Sequence, residues 1–582
     1  MRRVVPALAA VLLLPLLLSG CVTVPSSGPV VLTGSGAGGV TSQGAPFINP
    51  RPPEPGESRP DVVRGFMAAM QATPIQTRTA ERFLTTSAAA AWDPQAETIT
   101  YAGASPARDR RDDVSITLSG AEHLDARGAW QGPLPDARHT LRFPMTMEDG
   151  EWRIAAAPDA LVVPEDWFAA RFRPVSIYFF DPTASILEPE PVFVPRGDQL
   201  ASSLTQALLL GPGRGLSRVA QSMIPRGLSI AVGVTVSDAG VADILLNGDP
   251  GQLSARTIEL MMAQLAWTLR QEPKVQSLRL SIGGQPVPLP GGVSTYRIDG
   301  GAEYDPAGFQ ASPLLYGLRG GHVVAGSPSS MARVDGPFGR RSYGLSALGV
   351  SLDAERLAGV SGAGRAVVAG PVRDAGRVQP VVFGTDFLRP AWDFANRMWL
   401  VDRTHGGARV SYVDPSGAVH RIHVAGITGT QVRDFVVSRD GTRLLAVVRR
   451  RSDDTIVESR IEHSATGRVL GALAAGRIDL QGGGGADLSV RDIVWRTSAS
   501  IAVLNPLTPT LSEVAPVSVD GAPLSPETAA TAVDGRVLGL VGSPVTGEPV
   551  YGVTRRGLVD VGSSERRSIG FARRTTALTY VG

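Results

Sequence analysis

Asp434-Phe-Val-Val-Ser-Arg-Asp-Gly-Thr-Arg-Leu-Leu-Ala-Val-Val448 is the stretch on which the fold turns. Two apolar runs flank a polar Asp440-Gly441 pair, the signature of two antiparallel strands joined by a tight turn. The same strand-turn-strand pattern recurs in Ala347 to Val360, Ala391 to Val401, Ile493 to Leu504 and Ala530 to Val541. The turn centres fall at Ala354, Asn396, Gly441, Ser498 and Gly535, so the spacings are 42, 45, 57 and 37 residues. That period is the one expected of propeller blades. Only Asp440-Gly441 and Asp534-Gly535 keep a full Asp-Gly turn. A sixth inner strand, Thr576 to Val581, ends the sequence without outer strands of its own, and Leu314 to Leu318 with His322 to Ala325 are placed to supply them. Residues 309–582 are therefore expected to form an all-β propeller of six blades, closed by joining its two ends.

Working back from the propeller, Pro174 to Gly292 alternates strands and helices. Val175 to Phe180 and Val192 to Val194 read as strands. A helix from Asp198 to Leu210 has Leu200, Leu204 and Leu208 on one face. Leu228 to Val236 and Val241 to Leu246 form a hairpin around Asp238-Ala-Gly240. A second helix, Ser254 to Gln271, precedes a strand at Val275 to Ile282. This is an α/β domain. Tyr178-Phe-Phe-Asp-Pro182, Leu204 to Pro212, Gly233-Val-Thr-Val236 and Ala263-Gln-Leu-Ala-Trp-Thr-Leu269 resemble the GerMN domain of bacterial envelope lipoproteins and germination proteins, a family that brings no established chemistry with it.

Residues 59–173 read as α+β. Asp61 opens a helix carrying Val62, Val63, Phe66, Met67 and Met70. A second helix buries Ala80, Phe83, Leu84 and Ala88 and stops at Trp92-Asp93-Pro94. Strands follow at Val114 to Leu118, His139 to Met147 and Trp152 to Ala155, with Asp149-Gly150 as a hairpin turn. Helices followed by an antiparallel sheet are similar in order to a small NTF2-like domain. The fold class is thus multidomain, with α+β, α/β GerMN-like and all-β propeller parts in series.

The N-terminus fixes location. Arg2 and Arg3 precede an apolar run from Val4 to Leu18, broken by Pro6 and Pro15 and too short to span a bilayer comfortably. Residues 1–20 read as a signal peptide. Leu18-Ser-Gly-Cys21 resembles a lipobox, which implies lipid on the Cys21 thiol and cleavage just before it. Cys21 is the only cysteine, so no disulfide framework exists. One acyl chain anchors only marginally, at about 0.8 kcal/mol per buried CH₂, and lipobox processing supplies two or more. Residues 21–58 form a Gly/Pro/Ser-rich linker that reaches roughly 35 Å as a flexible coil. Its Gly34-Ser-Gly-Ala-Gly-Gly39 lacks the strand and helix that a dinucleotide fingerprint requires.

The formal net charge of +2 gives no basic face of the kind that would suggest nucleic acid. No residues present themselves as catalytic, cofactor-binding or metal-binding. His420 and His423 lie three apart on a strand and point to opposite faces. No H-E-x-x-H occurs, and the sole lysine, Lys274, follows Pro273 rather than a P-loop glycine. Gly359-Val-Ser361-Gly-Ala363 lacks the last glycine of a nucleophile elbow. The mixed-sign runs Arg108 to Asp113 and Arg449 to Asp454 read as solvated surface.

Lipobox, tether, α+β domain, GerMN-like domain and propeller, in that order, resemble the LpqB lipoproteins of actinobacteria. The resemblance implies a lipid-anchored protein on the extracytoplasmic face of the cell membrane. It also implies a partner, the extracytoplasmic domain of a sensor histidine kinase of an MtrA/MtrB-like two-component system, with effects on the envelope and division. Possible contact with cell-wall material, or an envelope enzyme using the propeller channel, is the competing expectation, because fold alone does not separate the two. Replacing Cys21 with Ser is expected to leave an uncleaved precursor or a released protein on cell fractionation. Mature, membrane-held Cys21→Ser protein would contradict the anchor.

Overall fold

The computed structural model describes residues 49–582 apart from 214, 452, 479, 481–488, 525–527, 529, 563–567 and 570–574. The signal peptide, Cys21 and nearly all of the linker lie outside the described residues.

The first helix, Arg59–Ala69, has a proline in its first turn and buries Val62, Val63, Phe66 and Met67. Phe66 packs on Trp92 and Phe143, with ring centroids 5.3 and 5.9 Å apart. The expected second helix is two short ones, Arg78–Glu81 and Thr86–Ala91. Between them the chain bridges to Ile154: its N–H donates to the Phe83 carbonyl and its carbonyl accepts from Thr85 N–H, both at 2.9 Å. The Thr85 hydroxyl then caps the new helix by accepting from Ala88 N–H at 3.1 Å. Ala80, Phe83 and Leu84 are buried as expected, whereas Ala88, on the second short helix, is only partly buried, so the apolar spacing survives up to a break it does not reveal. Asp113–Ser119, Thr140–Glu148 and Glu151–Ile154 pair antiparallel as expected. A second sheet, in the order Trp130–Pro133, Glu122–Asp125, Glu97–Tyr101 and Leu161–Pro164, was not apparent in the sequence.

This part runs without a break into the next. Helix Glu165–Arg171 passes directly into strand Phe172–Phe180, which pairs over nine residues with Leu187–Pro195. Gly128 seals the junction. Its φ is +81°, and a Cβ there would lie 2.1 Å from the Phe193 carbonyl oxygen. Helices Leu200–Leu209 and Ala255–Leu269 cover the sheet, the second capped at its start by the Ser254 hydroxyl. Val241–Asn247 lies parallel to Ser277–Ile282. The expected long strand before the Asp238-Ala-Gly240 turn is only two short pieces, Ser229–Ile230 and Thr235–Val236, both paired to Val241–Asn247. The domain also extends beyond residue 292. Tyr296–Arg297 joins the sheet, Trp267 Nε1 donates to the Gly301 carbonyl at 2.7 Å, and Tyr304 packs edge-on to Phe180.

From Leu315 onward the described residues build six antiparallel sheets. Their innermost strands touch in a cycle: Thr575–Thr579, Leu345–Val350, Ala391–Trp392, Gln431–Val437, Asp492–Thr497, Gly539–Gly542 and back to Thr575–Thr579. The last strand pairs antiparallel with Leu315–Arg319, which joins chain segments some 260 residues apart. The turns explain the eroded repeat. Ala354 and Asn396 hold φ of +57° and +55° where Gly441 has +74°, so the left-handed turn persists without glycine. Ser351 and Ser438 support two of these turns identically, each accepting the N–H five residues on, from Arg356 and Arg443, at 2.9 Å. One repeat had the wrong register. Thr531–Asp534 is the outer strand of one sheet and Gly539–Gly542 the inner strand of the next, so Gly535 links blades rather than turning within one.

The closing strand brings Leu578, Tyr580 and Val581 into the core, each 8% exposed or less. At roughly 1.5–3 kcal/mol per buried large apolar side chain, its removal should destabilise the ring strongly. Deleting residues 576–582 is expected to lower and broaden the propeller's melting transition in calorimetry; an unchanged transition would contradict closure by this strand.

Candidate functional site

The densest concentration of charge lies where the α/β domain meets the propeller. Leu187–Pro195 buries its whole length up to Pro195, including Glu188 and Glu190. The hairpin around Ser438 to Arg443 brings a fully buried arginine, Arg443, up to this strand, and the neighbouring Asp453–His463 strand brings Arg460 and Glu458. Arg443 Nη2 donates to the Pro189 carbonyl at 2.7 Å and lies 3.3 Å from Glu190 and 3.5 Å from Glu188. Arg460 reaches both glutamates, Glu190 at 2.8 Å and Glu188 through a short contact, while its Nε lies 3.2 Å from Glu458. A further ion pair, Arg218 to Glu462 at 2.7 Å, flanks the cluster.

Three carboxylates thus share two guanidiniums at a largely buried site, leaving one excess negative charge. The excess falls on Glu188. Burial pushes its carboxyl up to about 7 despite Arg460 and Arg443. Burial also opposes charge on Glu190, but the two arginines outweigh it and hold that group below its ordinary value. Arg460 is held above its ordinary value because the surrounding carboxylates outweigh its own burial. Such a cluster adds little net stability over apolar packing, yet losing one member of a buried pair costs about 3–5 kcal/mol. It therefore works as a clamp that fixes how the two domains meet.

The propeller's axis holds the second concentration. A small cavity of about 40 Å³ is lined by Arg389, Phe435, Arg439, Trp495 and Tyr580. That is space for a few water molecules at most. Arg439 sits buried there, lowered to about 10 by that burial, with the Val581 and Gly542 carbonyls 3.4 Å from its nitrogens. Asp434 lies beside Asp492, and its carboxyl is raised well above the ordinary range, first by burial and then by that neighbour. Both are committed to the ring. Asp434 accepts from Ile493 N–H at 3.0 Å and Asp492 from Leu540 N–H at 2.6 Å, each stitching its blade to the next.

Of the residues singled out in the sequence, Cys21 lies outside the described residues. His420 bonds Asp414 at 2.8 Å and stacks on Tyr412. Ser361 accepts from Ala366 N–H at 3.2 Å, a turn contact. Among the described residues no cluster of three metal-ligating side chains occurs, and no helix is long and apolar enough to cross a membrane. The Arg108 to Asp113 run stays at the surface edge, with Asp109 and Asp113 paired to Arg59 and Arg142. Asp454 is not solvated surface: its side chain is fully buried and bound by Arg449 at 2.6 and 2.9 Å and by Val490 N–H at 2.8 Å. Its place directly before the buried run Thr455-Ile456-Val457 was the available signal, masked by the three arginines before it.

Comparison with known proteins matches three family models in series. Residues 52–169 match the N-terminal domain of lipoprotein LpqB, 176–288 a sporulation and spore germination domain, and 321–568 the LpqB β-propeller domain. Lipoprotein LpqB of Thermobifida fusca is 27% identical over 548 residues, 84% of this chain and 86% of the relative. Lipoprotein LpqB of Streptomyces coelicolor is 25% identical over 546 residues, 87% of each. Among solved structures, TolB from Acinetobacter baumannii aligns over 46% of this chain and 66% of its own, with 14% identity and a TM-score of 0.32.

The clamp predicts a pH dependence. Because the Glu188 carboxyl is raised from 4.5 to about 7 on folding, its contribution is complete below about pH 4.5 and is lost as pH rises through about 7. Glu190 acts in the opposite sense, in acid. Glu188→Gln is expected to flatten the decline in thermal stability between pH 5 and 8, and Arg460→Leu to lower stability by about 3–5 kcal/mol at pH 7. A Glu188→Gln melting profile that falls as steeply as the parent's would contradict this assignment.

Proposed function

The chain belongs to the family of LpqB lipoproteins, and from that premise we propose that it is a membrane-anchored extracytoplasmic protein that acts by contact, modulating a neighbouring sensor histidine kinase from outside the cell. Lipid on Cys21 and the linker after it hold the folded body close to the bilayer, within reach of the short ectodomain of a membrane protein. Confinement to one surface raises the partner's effective concentration, so a weak interface suffices.

The observation that carries this reading is what the desolvated carboxylates are doing. Glu188 and Glu190 are engaged by Arg443 and Arg460, and Asp434 and Asp492 by amides of the next blade. A general acid or base needs an open approach for the proton it handles. These groups instead join neighbouring parts of one body, Glu188 and Glu190 the α/β domain to the propeller, and Asp434 and Asp492 one blade to the next. Such a body presents fixed surfaces to a partner.

Crosslinking of the anchored protein in intact cells, followed by identification of what is captured, tests this directly. The expected catch is the extracytoplasmic domain of a sensor kinase. Capture of cell-wall glycan or lipid precursor without any sensor, together with turnover of that material by the purified protein, would overturn the reading in favour of an enzyme.

A further inference from the structure

The propeller has a second charged feature, at the end of the blades remote from the clamp. Strands Gln431–Val437 and Arg443–Arg450 form a hairpin whose turn, with Arg443, sits against the α/β domain. Arg449 lies six residues along the second strand from Arg443, about 20 Å away at 3.3 Å per residue, and Gln431 is its partner in the register. Around this far end is a groove of about 590 Å³, lined among others by Arg403, Gln431, Arg433, Arg449, Arg491 and Pro506.

The electrostatics of the groove are uneven. Asp454 is shared: Arg449 grips it through two nitrogens at 2.6 and 2.9 Å, and Arg433 Nε lies 3.3 Å from the same carboxylate. Arg403 pairs with Asp386 at 2.6 Å, and Arg491 donates to the Val537 carbonyl at 2.6 Å. Among the described residues of this groove, positive charge therefore exceeds negative. The side chains of Arg433 and Arg403 are 48% and 41% exposed. Two exposed leucines stand beside it in sequence, Leu507 after Pro506 and Leu538 after Val537, at 49% and 43%.

We propose that this groove is a docking site for an acidic peptide segment of a protein partner, with Arg433, Arg491 and Arg403 receiving its carboxylates. The proposal rests on the contact reading above and names the surface that reading requires. Guanidinium forks match carboxylates in bidentate geometry, and the grip of Arg449 on Asp454 shows that geometry within the groove itself. A groove whose arginine-rich lining adjoins exposed leucines in sequence suits an extended peptide with one or two apolar side chains, because arginine with apolar neighbours is the composition of protein interfaces. The far face is also the one that the clamp leaves open.

The test uses the full chain in detergent micelles and a fluorescent peptide of six glutamates around a central leucine, read by anisotropy. Saturable binding is expected, weakening as salt rises from about 50 to 300 mM because charges exposed at the groove are screened. In the double variant Arg433→Gln, Arg491→Gln it should weaken by roughly tenfold, equivalent to about 1.4 kcal/mol. The bidentate grip of Arg449 on buried Asp454 remains in that variant, so it should still fold and melt cooperatively, with its melting temperature lowered only by loss of the Arg491 bond to the Val537 carbonyl. Arg403→Gln, which leaves Asp454 untouched, should weaken binding in the same direction. Absence of saturable peptide binding, equal binding by parent and both variants, or binding only of inorganic phosphate or of phosphatidylglycerol vesicles would overturn the proposal. A failure to capture any sensor kinase in cells would overturn the contact reading but leave the peptide titration unaffected, so the two failures are distinguishable.

Discussion

Two buried glutamates and a buried arginine, joined by the partly buried Arg460 and Glu458, govern how the two domains meet. Glu188, Glu190 and Glu458 converge on Arg443 and Arg460 where two domains with separate cores meet. Apolar packing alone tolerates many relative orientations, whereas a desolvated charge cluster is satisfied in very few. The turn that delivers Arg443 is the same Ser-x-Asp-Gly turn that builds a propeller blade, so the blade repeat and the interdomain contact draw on one local structure.

The ring depends on a comparable economy of parts. Thr575–Thr579 closes it by pairing with Leu315–Arg319, and the carboxylates of Asp434 and Asp492 bind amides of the following blade. Side chains that in an enzyme's channel would face a substrate are here spent on fixing neighbouring sheets. On the contact reading proposed above, the informative surfaces lie on the outside of the body, at the end of the blades that the α/β domain does not cover.

What was legible in the sequence follows from what periodicity encodes. The inner hairpins of four blades were readable because strand, turn and strand are local, and the closing role of the last strand followed from unpaired outer strands at the propeller's start. Of the Glu188 strand only the Val192 to Val194 end was readable, and its start was not. Leu187-Glu-Pro-Glu-Pro-Val192 has two prolines and two glutamates, which in isolation suggest a loop, and only the opposing arginines more than 250 residues away make its burial tolerable. Asp454 failed for the same reason: its partners are side chains and an amide from three separate segments. The misassigned Gly535 turn shows the converse error, in which an Asp-Gly pair that joins two blades looks locally identical to one that turns within a blade.

The central claim is that a compact, tethered body acts through a surface and not through a reaction. Hydrogen exchange of the full chain, alone and with the purified extracytoplasmic domain of the sensor kinase proposed as its partner, measures that surface most directly. The account predicts slowed exchange confined to one face, at the strand ends around Arg433, Arg449 and Arg491, with the clamp strand Leu187–Pro195 protected equally in both states. Unchanged exchange over the whole propeller and α/β domain at saturating partner would contradict it.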